Sequence, residues 1–400
     1  MSFIADRLKA IKPSPTLAVT AKAKALKSQG VKIIDFGVGE PDFDTPDFIK
    51  DAAKKALDNG KTKYTPVPGI VALREAICAK LKKENNLDYD ISEVSVGCGG
   101  KQTLYNALMA TINPEDEVIL PAPYWVSYAE MVALAGGKKV IVECKKETGF
   151  RLTPDLLEQA ITPKTKWVII NSPSNPTGVA YKKDELTAIA EVLRKYPHVG
   201  ILSDDIYEHL VYDDFKFVSI LNVAPDLKNR TLVFNGLSKS FAMTGWRVGY
   251  VAGPKEIIKA INDIQSHSTS HTSSISQEAS VAALNGSLDF LKERNEIFKQ
   301  RRDIIVEGIN SIKGLSCLKP EGAFYVYVSC EGAIGKKTED NIIIENDTDF
   351  VTQLLEKAGV AVVQGEAFGL SPYFRISYAT STEDVKLAIK KINDFCISLR

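Results

Sequence analysis

A chain of 400 residues is longer than one ordinary core organises, because single hydrophobic cores stop growing at roughly 250 to 300 residues; two bodies are expected. Apolar residues make up 44% and charged residues 25%, a balance that excludes a disordered or low-complexity chain. Fifty basic side chains cancel fifty acidic ones, which removes the net field that nucleic acid or an anionic membrane would attract, and small-molecule work is expected instead. The cysteines, Cys78, Cys98, Cys144, Cys317, Cys330 and Cys396, lack the close spacing of zinc or redox motifs and read as reduced, mostly buried thiols, with no metal. The start, MSFIADRLKAIKPSP, lacks the apolar stretch of a secretory signal, and no apolar run reaches the roughly 18 residues of a membrane span. A cytoplasmic address follows.

In chain order, residues 16–30 read as a helix with a hydroxyl start and a glycine stop, and a brief apolar stretch covers 32–36. Thr45 followed by Pro46 reads as an N-cap with proline at the first helical position, opening a helix that ends at Gly60. Seven short β-rich runs, near Val94, Val118, Val140, Val168, Ile201, Val233 and Val248, then alternate with longer segments, several helical in pattern. That alternation predicts an α/β fold with a mainly parallel sheet. A helix-compatible stretch from 254 to about 299 could bridge two bodies. Beyond it come a helix, the strand-like AFYVYVS, an acidic loop at 339–347, and a further helix, strand and helix, the pattern of a smaller α+β body. No repeat or low-complexity tract interrupts this order.

The strongest local signal is GLSKSFAMTGWRVG at residues 236–249, which puts Lys239 just beyond the strand-like TLVFN and Arg247 eight residues later. Open α/β sheets bind ligands at the C-terminal ends of their strands. The glycines permit close backbone approach, Arg247 can clamp a phosphate through paired donors, and a lysine near such a cation loses its proton more easily.

This segment resembles, position by position, the cofactor-lysine pattern of class I aminotransferases, members of the fold type I pyridoxal-phosphate family. Further landmarks follow in the family's order from Gly39 to Arg375, most similar to the bacterial aspartate aminotransferases that include prephenate aminotransferases. The resemblance implies a mostly parallel seven-stranded sheet in a large domain, residues 46–290, and a smaller α+β domain of 1–45 and 291–400. It implies pyridoxal 5'-phosphate as cofactor, held on Lys239 as a Schiff base. It also implies ping-pong transfer between amino acids and 2-oxo acids, and a homodimer with shared active sites.

Within SDDIY, Asp204 matches the family's aspartate on the cofactor's ring nitrogen, and Tyr207 the donor to its 3-oxygen; Asp205 departs from the glutamate of many relatives. In NSPSNPTG, Asn175 matches the asparagine that touches both the 3-oxygen and the substrate carboxylate. GCGGKQ precedes a helix, so the amides of Gly99, Gly100 and Lys101 can cradle a phosphate at its positive end. Trp125 matches the aromatic on the pyridine face, and Arg375, in a strand-like run, can take an α-carboxylate with its planar fork. Gly39 resembles the mobile turn over that carboxylate, and Tyr64 the tyrosine that reaches the neighbouring subunit's phosphate. Lys12, Thr16 and Lys101 are implied at the distal carboxylate of a dicarboxylic substrate, Lys12 also in prephenate recognition. A fold type I lyase would use the same Lys239 and Asp204, and differs by leaving no stoichiometric pyridoxamine phosphate. A transcription regulator would need a DNA-binding segment, for which fewer than 40 residues precede Gly39.

Overall fold

The computed structural model describes residues 3–11 and 15–400, without the side chains of residues 15–18 and 20. The chain opens with helix α1 (Pro15–Ser28), stopped by Gly30 in the left-handed region at φ 87°, and strand β1 (Ile34–Asp35). Helices α2 (Asp47–Asp58) and α3 (Val71–Asn85) follow. The Thr45 hydroxyl does not cap α2. It donates to the Ala242 carbonyl at 2.7 Å and accepts from Trp246 Nε1 at 3.0 Å, tying the start of α2 to the lysine loop instead.

The seven β-rich runs become the strands β2 (Val94–Gly97), β3 (Glu117–Ala122), β4 (Lys138–Glu143), β5 (Thr165–Asn171), β6 (Gly200–Asp204), β7 (Thr231–Gly236) and β8 (Gly249–Ala252). They form one sheet in the order β2-β8-β7-β6-β5-β3-β4, parallel except for β8, which runs against both its neighbours. The central strands β6 and β7 are buried along their whole length, as a sheet covered on both faces requires. Edge strand β4, KKVIVE, keeps its lysines in solvent, which discourages pairing with another chain.

Helix α4 (Gly100–Thr111) and helix α5 (Ser127–Leu134) pack in a core that Leu104, Leu108, Val132, Leu202 and Phe234 share. A second core unites α2 and α3 with the opposite side chains of the sheet, through Ile49, Leu73, Ile77, Val168 and Val233. Helices α6 (Pro154–Ala160), α7 (Lys183–Lys195) and α8 (Ile220–Val223) complete that layer. In α7, Leu186, Ile189, Ala190 and Leu193 recur at helical spacing and are buried, each large one contributing roughly 1.5–3 kcal/mol.

The long stretch from 254 is three helices rather than one: α9 (Lys255–Ser266), α10 (Ser274–Asn285) and α11 (Phe290–Asn310). The first break runs through Ser270 at φ 60°, and the Ser273 hydroxyl then caps α10. α11 packs on a four-stranded antiparallel sheet, ordered β12-β13-β10-β9, made of β9 (Ser316–Cys317), β10 (Tyr325–Ser329), β12 (Val363–Gln364) and β13 (Tyr373–Ser377). Strand β11 (Val360–Ala361) pairs with β1. Helices α12 (Asp347–Gln353) and α13 (Thr382–Ser398) close a separate core containing Phe298, Ile305, Phe324, Phe350, Phe374 and Ile392. All six cysteines are free, four of them buried. No described helix is long and apolar enough to cross a membrane.

Candidate active site

Strand register brings the motif residues together. Asn171 pairs with Asp204 across β5 and β6, and Asp204 with Phe234 across β6 and β7, so the C-terminal ends of three adjacent strands finish side by side. Lys239 follows the last of them. Its Nζ donates to the Gly39 carbonyl at 2.6 Å and lies 5.9 Å from the ring centres of Tyr207 and Phe324. The side chain keeps partial access to the cleft, yet the ammonium is pulled down to about 8. Burial is the main cause, and Arg375 outweighs Arg247 as the repelling cation, a different ranking from the one the sequence suggests.

Asp204 is 6% exposed and accepts a 2.5 Å bond from the Tyr128 hydroxyl. Burial raises its carboxyl to about 6, against the lowering effects of Tyr128, the Ile206 amide and Lys239. Among the described residues no cation is bonded to it. A relay runs from its backbone towards β13: Asn171 Nδ2 donates to the Asp204 carbonyl at 2.8 Å, Asn171 Oδ1 accepts from the Asn175 amide at 2.9 Å, and Asn175 Oδ1 accepts from Arg375 Nη1 at 3.0 Å. Arg375 is buried, with Nη2 on the Gly37 carbonyl at 2.5 Å and its Nε unpartnered. Its guanidinium rests against Tyr325 and Phe368 at 4.7 and 5.2 Å. The hydroxyls of Tyr207 and Tyr325 meet at 2.8 Å. A side chain at Gly39 would run into that same Tyr325 hydroxyl, its Cβ coming within 2.4 Å, so only glycine lets the turn descend this far.

At the other end of the cleft, Gly249 pairs with both Gly97 and Gly236. A Cβ on Gly249 would come within 2.2 Å of the Gly100 nitrogen, so three glycines across the sheet let the turn before α4 lie directly on it. Gly99 stands at φ 87°, with Arg247 so near that a Cβ there would meet Nη2 at 2.4 Å. Arg247 itself takes the left-handed conformation at φ 55°, a strained choice for a residue with a side chain. Its Nη1 donates to the Thr244 carbonyl and its Nη2 to the Cys98 carbonyl, which aims the guanidinium at the α4 terminus. The Gly99 amide does not join the cradle, because it donates to the Gly97 carbonyl at 2.8 Å and closes the turn. The Gly100 and Lys101 amides open α4 and have no carbonyl one turn back to donate to.

The rim holds the rest. Lys101 Nζ sits 5.0 Å over the Trp125 ring, which meets Tyr128 edge-on at 5.3 Å. Tyr64 is 93% exposed and touches His271 edge-on. Lys12 and the Thr16 side chain lie outside the described residues. Three participants escape sequence reasoning: Tyr128, Tyr325 and Phe368. Tyr128 carries the one usable signal, standing three residues after Trp125 and so one helical turn from it.

A family model described as aminotransferase class I and II matches residues 31–392. The chain is 56% identical over 399 residues to an aspartate/prephenate aminotransferase of Cereibacter sphaeroides, covering all of both chains. Its structure is similar to that of the aspartate aminotransferase from Rhizobium meliloti, with a TM-score of 0.97 at 52% identity and full coverage of both. The aspartate aminotransferase of Thermus thermophilus with maleate aligns at a TM-score of 0.92 and 43% identity, over 99% of this chain and 100% of that one.

Proposed function

For a chain that belongs to the aminotransferase class I and II family, we propose that the donor is L-aspartate or L-glutamate, the acceptor a 2-oxo acid such as 2-oxoglutarate, with prephenate a further acceptor, and the cofactor pyridoxal 5'-phosphate on Lys239. The observation that carries this is the arrangement around Lys239: an amine of lowered pKa within the electrostatic reach of a buried carboxyl that no described cation bonds and of a buried guanidinium with a spare donor. A heterocycle with a basic nitrogen, an anionic arm and an aldehyde suits those groups and the open amides beside Arg247. When bound, such a cofactor takes up the substrate amine and withdraws electrons from its Cα.

The chain's residues supply the rest. Asp204 holds a protonated ring nitrogen: opposite charges about 4 Å apart attract by roughly 4 kcal/mol at an effective dielectric of about 20, enough to restore the carboxylate that burial disfavours. Tyr207 and Asn175 would hold the cofactor's 3-oxygen, and Trp125 would pack against its ring. Arg247 and the Gly100 and Lys101 amides hold the phosphate, joined by Tyr64 from the neighbouring subunit. Arg375 takes the substrate α-carboxylate under the Gly39 turn, and Lys12, Thr16 and Lys101 take the distal one. Once released, Lys239 moves the proton from Cα as general base, a role its pKa near 8 suits at neutral pH. Homodimerisation is supported by the exposure of Tyr64. The division into 1–45 with 291–400 and 46–290 is supported by the separate cores, and a cytoplasmic address by the six free thiols.

Single-turnover reactions of the cofactor-loaded protein test this. Aspartate and glutamate should each convert the cofactor stoichiometrically to its amine form, and oxaloacetate, 2-oxoglutarate and prephenate should each reverse it. Turnover without that stoichiometric product would favour the lyase; faster reaction with monocarboxylic substrates would overturn the substrate assignment alone.

A further inference from the structure

Tyr207 is followed by two polar residues, Glu208 and His209, that face α3 and the flanks of Lys239. Glu208 is buried and paired with Lys80, and it accepts from Asn85 Nδ2 and Asn235 Nδ2, each at 2.6 Å. Asn235 Oδ1 in turn accepts the Gly236 amide at 2.7 Å, three residues before Lys239. His209 Nδ1 meets the Ser240 hydroxyl at 3.0 Å, one residue after Lys239, and its Nε2 meets Glu84 Oε2 at 2.8 Å. Asn295 Nδ2 on α11 holds the His209 carbonyl at 2.7 Å. The ligand atoms of Glu84, Glu208 and His209 all lie within 4.8 Å of one another, a spacing a metal ion could use. Lys80 already supplies the positive charge there, bonded to Glu208 and 3.5 Å from Glu84.

We propose that Glu208 and His209 are positioning residues that set Lys239 relative to Tyr207, Glu208 through Asn235 and Gly236, and His209 through Ser240. The inference rests on Lys239 carrying the cofactor. Its physical basis is that both flanks of the lysine are bonded to the two residues that directly follow Tyr207, so the amine and the phenol are held by one rigid unit. Displacements of about 1 Å in such a pair cost up to a hundredfold in rate, while binding of the substrate carboxylates by other residues is untouched.

The test uses the cofactor-loaded full chain and the variants His209→Leu, Ser240→Ala and their double. The readouts are the pH midpoint of the absorbance change of the lysine-bound cofactor, and kcat and KM for aspartate. Each single variant should move the midpoint by about 0.5 to 1 unit, because a displaced Lys239 changes how well the surrounding groups stabilise one protonation state over the other. Each should lower kcat about fivefold with KM little changed. The double should do no more than either single, because both cut the same link. Ser240→Thr, which keeps the hydroxyl, should restore the wild-type midpoint. Wild-type midpoints and kcat in both singles, or additive losses in the double, would overturn the proposal. Should His209→Leu fail to fold, Glu84→Gln loosens the same link from its partly exposed end, and an unmoved midpoint there and in Ser240→Ala overturns it equally. A wild-type chain with no absorbance dependent on Lys239 would instead defeat the assignment of the cofactor.

Discussion

Asp204, Tyr207, Asn175 and Arg375 are all buried and bonded to residues of their own chain, whereas Tyr64 is 93% exposed and Lys101 and Arg247 stand open to solvent. In the buried group desolvation dominates: it raises Asp204 and Tyr207 and lowers Lys239 before anything binds. Much of the reorganisation that chemistry would otherwise require is therefore already made on folding. At the rim the charges are screened by water, so those residues act only once an anionic ligand or a second subunit excludes it.

Substitutions should separate the two regions by size of effect. Asp204→Asn removes the buried carboxylate proposed to face the ring nitrogen and should lower kcat about a hundredfold to a thousandfold with cofactor still attached, read by steady-state kinetics beside the absorbance spectrum. Arg375→Leu should cost about 2–3 kcal/mol, roughly 30-fold to 140-fold in kcat/KM for aspartate. Tyr64→Phe, at the rim, should weaken cofactor retention by about 1 kcal/mol, roughly fivefold, measured by equilibrium dialysis. An Asp204 effect no larger than that of Tyr64 would erase the distinction between floor and rim.

The smallest effect on turnover is expected from Asp205→Asn, which acts on stability instead. Asp205 is buried with Oδ2 unpartnered, and burial raises it to about 7 from 3.8. Below about 4 the group is neutral in both states; between about 4 and 7 the folded state holds a proton the unfolded state has released. Native stability therefore falls as pH rises through that window. In the cofactor-free protein, Asp205→Asn should remove most of the fall, leaving a smaller one that ends near 6, from Asp204, in denaturant titrations at several pH values.

The strand-end placement of Asp204 and of Lys239 was legible in the sequence because it is local: a strand, its last residue and a glycine-rich loop. The seven runs translated into seven strands for the same reason: continuous apolar residues suit strands buried on both faces, such as β6 and β7, and edge strand β4 keeps the short run VIV. Partners distant along the chain were not legible. Tyr128 meets Asp204 76 residues away and Tyr325 meets Tyr207 118 residues away, and no spacing records either. Two local readings also gave way: Thr45 turned from helix cap to tether of Ala242, a tertiary bond, and the Gly99 amide turned inward on Gly97 within its own turn. The break after Ser266 was invisible because it uses His, Ser and Thr rather than proline or glycine.

The central claim is that the cofactor is held by Lys239 and by no other lysine. Borohydride reduction of the cofactor-loaded protein, followed by proteolysis and peptide mass analysis, tests it most directly. The account predicts one modified peptide, carrying reduced cofactor on Lys239, and none in Lys239→Ala. Label on a different lysine, or undiminished label in Lys239→Ala, would contradict it.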